Sequence, residues 1–118
     1  MKFGIMVLEG PYQHEASDSA YQFARTAVAK GHTIEGIFFY TDGVNNVNKF
    51  IKPPAERVIS RRWSEFAEEH SIDMVACVAG AIYRGMTEEI ATDHVRIAGL
   101  GQLAELIQKT DRLISFGD

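Results

Sequence analysis

A chain of 118 residues, 46% hydrophobic and 10% aromatic, carries enough apolar material for one core and is too short for a second. One domain over residues 1–118 is therefore expected. Its formal net charge of −4, with no basic run longer than Arg61-Arg62, excludes the basic face that binding along a nucleic-acid backbone requires. The apolar run Met1 to Leu8 is too short to cross a bilayer and no small-residue cleavage site follows it, so a soluble, cytoplasmic protein is the expectation.

Lys2 to Leu8 reads as a fully buried strand stopped by Glu9-Gly10-Pro11. Ser19 with Gln22 forms a capping-box pattern, with Ser17 as an alternative cap, and Ala20, Phe23, Ala24, Ala27 and Val28 then recur at helical spacing until Gly31. Ile34 to Tyr40 is a second strand closed by Asp42-Gly43. Val44 to Pro54, rich in Asn, reads as a loop. From about Ala55, the residues Ile59, Trp63, Phe66, Ala67 and His70 share one face of a second helix. Ile72 to Val78 is a third buried strand, with Cys77 at its C-terminal end and the small residues Ala79, Gly80 and Ala81 as its stop. Thr87 to Ala91 reads as a short helix, Val95 to Ile97 as a fourth strand, Leu100 to Ile107 as the last amphipathic helix, and Leu113 to Phe116 as a fifth strand.

Strands alternating with helices imply right-handed crossovers and a mainly parallel sheet covered on both faces. The expected fold is a flavodoxin-like three-layer α/β/α sandwich with strand order 2-1-3-4-5. Ligands collect at the topological switch of such a sheet, which in this order lies between strands one and three. That order would bring the loop Glu9 to Ser17 against Cys77 to Gly85.

Cys77 is the only cysteine, so no internal disulfide exists, and His14, His32, His70 and His94 lack the tight spacing of a structural zinc site. A cysteine ending a buried strand is commonly a packing residue. Beside a helix N-terminus or a cation, the same position suits a reactive thiolate. Both readings stay open. His14 reads as a general base, as a cationic neighbour that stabilises the thiolate, or as a solvated loop residue; Arg84 is a second cation on a nearby loop. Glu9, Asp18 and Asp42 read as caps or turn residues, and Trp63 and Phe66 as core. Phe38-Phe39-Tyr40 must send one ring to the rim, where a partner surface is plausible.

Gly99-Leu100-Gly101-Gln102-Leu103-Ala104 matches a dinucleotide-binding fingerprint in form, but it belongs to the wrong βα turn, so close helix–sheet packing is the expected use of its glycines. The first loop lacks the Ser/Thr-rich phosphate cradle of FMN carriers. It also lacks the acidic pair of phospho-receivers, and Cys77 stands near the place of their Asp.

The order and spacing of several segments resemble the DsrE/TusD family along essentially the whole chain. These are Glu9-Gly10-Pro11-Tyr12 through Ser17-Asp18-Ser19-Ala20-Tyr21-Gln22-Phe23-Ala24, Phe38-Phe39-Tyr40 with Asp42-Gly43-Val44, Asp73-Met74-Val75 with Cys77, Ala98-Gly99-Leu100-Gly101-Gln102-Leu103, and Asp111-Arg112-Leu113 with Phe116-Gly117-Asp118. The stretch Gly85 to Val95 departs from the DsrE branch, where the loop after the cysteine is longer. The resemblance implies an intracellular sulfur-relay sulfurtransferase that needs no metal or organic cofactor, with Cys77 carrying a persulfide. It implies a TusA-like donor, a DsrC/TusE-like acceptor and a heterohexamer with DsrF/DsrH-like or TusC/TusB-like subunits, in service of sulfur oxidation or tRNA 2-thiouridine synthesis. Two other readings remain: a non-catalytic structural subunit of a related complex, and a small-molecule-binding flavodoxin-like module.

Overall fold

A computed structural model of the chain describes residues 1–54 and 57–118. Its elements are β1 (Lys2–Val7), α1 (Ala16–Ala29), β2 (Thr33–Phe39), a 3-10 stretch (Thr41–Val47), α2 (Ile59–His70), β3 (Asp73–Cys77), α3 (Val78–Tyr83), β4 (Val95–Ala98), α4 (Leu100–Lys109) and β5 (Arg112–Phe116). All strand pairs within the sheet are parallel. The α/β sandwich expected from the alternating pattern is what forms.

The sheet runs β4-β3-β2-β1-β5. The order 2-1-3-4-5 would have put β1 between β2 and β3; here β1 pairs with β2 and β5, and β3 pairs with β2 and β4. Right-handed crossovers are compatible with either order, so handedness alone could not choose. Packing over β1 and β2 bears on the choice. A Cβ on Gly4 would stand 2.9 Å from Leu113 and 3.1 Å from Leu106, and one on Gly36 would stand 2.9 Å from Leu106. The two glycines hollow a seat on adjacent strands, and α4 lies in it through Leu106 as the chain returns from β4 to β5.

The opposite face carries α1 and α2. Phe23 of α1 packs edge-on against Phe3 and beside Phe116, and Trp63 of α2 packs against Phe39 and against Tyr21 of α1. Ile5, Ile37, Phe39, Met74 and Trp63 are buried on this side, each contributing roughly 1.5–3 kcal/mol of apolar transfer free energy. The segment between α3 and β4 also runs toward this side: Asn48 bridges Ala91, and Thr92 donates to the Val47 carbonyl.

Local differences from the expected elements have local causes. α1 begins with Glu15 as an uncapped N-cap, because the Ser17 hydroxyl is spent on Asn46 and no capping box forms. The Asn-rich segment is not all loop, since Thr41–Val47 winds as 3-10 helix. Ala79-Gly80-Ala81 does not end in a loop; it continues as α3. Thr87 to Ala91 closes only a turn, with Ile90 and Ala91 donating to Thr87. The expected start of α2 near Ala55 lies outside the described residues. Phe38 and Phe39 are both buried, and Tyr40 takes the rim, edge-on to Phe38.

Candidate functional site

Cys77 is the last residue of β3 and the N-cap of α3. Side chains alternate along a strand, and Asp73 lies opposite Gly36, whose face α4 covers, so Asp73, Val75 and Cys77 share the α4 face. Arg96 agrees, reaching both carboxylate oxygens of Asp73 and the Gln102 side chain of α4. The thiol is free and almost wholly enclosed, with Cys77 1% exposed.

The strand order moves the switch point. The connection leaving β3 turns to the α1/α2 face, whereas the one leaving β4 goes to α4 on the other, so the crevice opens between the C-terminal ends of β3 and β4. Cys77 pairs with Ala98 there, one residue before Gly99. Cys77 thus stands at the switch, but its neighbour across the crevice is the start of α4 and not the loop after β1.

The 3-10 stretch explains why that loop stays away. It is wedged beside the end of β1, where a Cβ on Gly43 would stand 1.9 Å from the Val7 carbonyl oxygen. On its other side Gly80 of α3 packs against Thr41 and Val44. Asn46, fully buried, locks the wedge: its Oδ1 accepts from the Ser17 hydroxyl, and its Nδ2 donates to the carbonyls of Glu9 and Gly43. His14 is consequently exposed on the far side, lining a cavity of about 340 Å3 with Tyr12, Asp18 and Arg57 among others. His14 follows β1 and Cys77 ends β3, β2 lies between those two strands, and the structure does not bring the two residues together.

Arg84 lies closer, yet its guanidinium is engaged: Nε and Nη2 donate to Asp42 Oδ1, and Nη1 donates to the Gly80 carbonyl. It pins α3 to the 3-10 stretch. Asp18 is a network residue, paired with Arg57 and Arg62. Burial disfavours its charge, but the hydrogen bond from Arg57 and the ion pair with Arg62 outweigh that and hold the carboxyl below its usual range.

The helices that leave the two strands of the crevice carry exposed apolar side chains. Val78, Ile82 and Tyr83 of α3 and Leu100 of α4 are exposed, Tyr83 at 87% and Ile82 at 71%. A Cβ on Gly99 or Gly101 would meet no atom within 4 Å, so the expected close helix–sheet packing of these glycines is absent. A cavity of about 370 Å3 lies between α1 and α2, lined by Tyr21, Arg25, Phe66 and His70 among others, on the face away from Cys77. Sequence reasoning misses α3 and its exposed pair, because small residues after a strand read as a stop. The signal was the run Ile82-Tyr83-Arg84 that follows them.

The model of the DsrE/DsrF-like family matches residues 1–116. The chain belongs to the DsrE/DsrF-like family. It is 49% identical, over the whole of both chains, to the "Putative sulfurtransferase DsrE" of Allochromatium vinosum, in an alignment of 130 positions against its own 118 residues. It is 40% identical to the sulfurtransferase TusD homolog of Aliivibrio fischeri over 97% of each chain. Against the sulfurtransferase TusD of Serratia proteamaculans it is 36% identical, over 94% of this chain and 96% of that one. With these relatives it is a sulfurtransferase-type member of the family. Two solved structures share the fold: the ychN protein of E. coli, with a TM-score of 0.86 at 20% identity over 98% of this chain and 99% of that one, and the protein of unknown function MTH1491 of Methanobacterium thermoautotrophicum, with a TM-score of 0.72 at 16% identity over 96% and 97%.

Proposed function

We propose that this chain is a cytoplasmic sulfur-relay subunit whose Cys77 holds a persulfide between a TusA-like donor and a DsrC/TusE-like acceptor. The observation that carries the reading is the placement of the chain's single cysteine at the β3–β4 switch crevice, beside helices that carry exposed apolar side chains. With no second cysteine in the chain, the other sulfur in any exchange comes from another molecule.

The chemistry needs no oxidant. The Cys77 thiolate attacks the outer sulfur of a donor persulfide, a new S–S bond forms at Cys77, and the donor thiolate leaves with the electron pair of the broken bond. An acceptor thiolate then attacks the outer sulfur on Cys77, and the Cys77 thiolate departs. Because the thiol is buried, each step requires the crevice to open, and docking of a partner over α3 and the start of α4 is the natural trigger. DsrF/DsrH-like or TusC/TusB-like subunits would complete the assembly, with either sulfur oxidation or tRNA 2-thiouridine synthesis as the destination. His14, on the far side of the wedge, takes no step in this scheme.

Burial of Cys77 favours a second reading, a structural subunit whose cysteine is only packed. Intact mass spectrometry after incubation with a persulfidated donor separates the two. The carrier gains one sulfur that reductant removes and that a Cys77→Ser variant never acquires. An unchanged wild-type mass, with a donor shown competent on another thiol, supports the packed-cysteine reading instead.

A further inference from the structure

We infer that the cavity along the start of α2 is a binding site for a small zwitterion, with the ligand's oxyanion at the helix N-terminus and its ammonium group a turn or more further along. The site lies on the α1/α2 face of the sheet, away from Cys77, and does not depend on the relay reading.

Two buried hydroxyls point to a ligand. Ser60 and Ser64 stand one helical turn apart on α2 and are only 4% and 9% exposed. Both line a cavity of about 300 Å3, and neither side chain has a hydrogen-bond partner among the described residues. The chain's other buried polar side chains, Ser17 and Asn46, are bonded to each other. Buried polar groups are ordinarily paired, so two unpaired hydroxyls facing one cavity mark it as a place for a polar guest. The helix start adds donors. Its N-cap, Val58, offers no side-chain acceptor, and its first turn holds no acidic residue. The Tyr12 hydroxyl takes the Ile59 N–H, and no side chain among the described residues takes those of Ser60 and Arg61. Free N–H groups at the positive end of a helix dipole favour an oxyanion.

The charges around the cavity set the ligand class. Lys49, Lys52 and Arg61 line it as cations, and Glu65, Glu68 and Asp93 line it as carboxylates. Glu68 has His94 as a neighbour, with Nε2 3.6 Å from Oε2, whereas Lys49, Lys52, Arg61, Glu65 and Asp93 form no ion pair among the described residues. A polyanion would meet repulsion from the carboxylates. A ligand of both signs would not. The signs are also sorted along the helix: Ser60 and Arg61 are in its first turn, and Glu65 and Glu68 follow in the next two. At 1.5 Å per residue, Glu65 stands about 7.5 Å along the axis from Ser60. An oxyanion joined to an ammonium group by a short tether spans that gradient.

The test titrates the full chain with phosphoethanolamine, inorganic phosphate and ethanolamine, followed by two-dimensional amide NMR spectra that also show whether each variant is folded. Phosphoethanolamine should shift the Ser60 and Arg61 amides saturably and bind about fivefold more tightly than inorganic phosphate, the size of a solvent-screened ion pair. Ser60→Ala should weaken both by about fivefold, the net worth of one hydrogen bond. Glu65→Gln should weaken phosphoethanolamine alone. Absence of saturable shifts at these amides overturns the site and leaves the cavity to water. Equal binding of phosphate and phosphoethanolamine, or a Glu65→Gln variant with their ratio unchanged, overturns the zwitterion class. A folded Ser60→Ala variant that binds as wild type does overturns the role of the buried hydroxyl, and the inference with it.

Discussion

Replacing Asn46 with Ala tests the wedge that fixes the mouth of the site. Asn46 is fully buried and satisfies three groups: the Ser17 hydroxyl and the carbonyls of Glu9 and Gly43. Truncation leaves two of these partners in a buried setting and one partly so. At roughly 1–3 kcal/mol for each buried polar group left unpaired, with relief from water at the Glu9 carbonyl, the expected loss is about 3 kcal/mol. The unfolding entropy scales as about 2.1 cal/mol/K per residue, so for a chain of this length a loss of that size lowers Tm by roughly 12 °C. Urea melts at neutral pH, read by circular dichroism, give the free energy, and a thermal scan gives the shift. Asn46→Asp keeps the acceptor for Ser17 but removes both donated bonds and buries a charge, so it should be no better than Ala. A loss below about 1 kcal/mol for Asn46→Ala would refute the claim that this side chain locks the 3-10 stretch between β1 and α3.

Leu106→Ala removes the residue that fills the seat made by Gly4 and Gly36; a loss of about 2–4 kcal/mol in urea melts is expected, the usual cost of such a truncation in a core. Asp18 carries a pH signature. Its carboxyl is held below its unfolded value, so its contribution is present above the ordinary Asp range near pH 4 and is lost as pH falls through the folded value. Solvent screens the pair, because the Asp18 side chain is 38% exposed, and Asp18→Asn should cost under about 1 kcal/mol at pH 7 while flattening the stability loss below pH 4. Alkylation of Cys77 by iodoacetamide should be far slower in the folded chain than in denaturant, and a bound partner should accelerate it; fast alkylation of the isolated folded chain would contradict the enclosed thiol.

Much of the scaffold was readable residue by residue. Apolar runs such as Ile5 to Val7 and Met74 to Cys77, short and bounded by turn signals, read as buried strands, and Trp63 and Phe66 fall on the core face of α2 because helical spacing puts them there. Strand order was not readable, since the packing that bears on it includes a seat made jointly by Gly4 and Gly36, residues 32 positions apart that no local pattern connects. That one miss displaced the site's surroundings. Cys77 stands at the end of β3 as its apolar run implies, but His14 does not stand beside it, because the order 2-1-3-4-5 sets β1 next to β3 whereas β2 lies between them. Sequence alone does not show what surrounds Gly99 and Gly101, and the open space at both positions replaces the expected close packing.

Following labelled sulfur through the chain tests the central claim most directly. The full chain is loaded from a donor carrying isotopically labelled sulfane sulfur, freed of donor, and mixed with a reduced acceptor thiol protein. The account predicts label on the peptide containing Cys77 after loading, its transfer to the acceptor on mixing, and neither event with Cys77→Ser. Label that reaches the acceptor equally well through Cys77→Ser, or that never rests on Cys77, would contradict it.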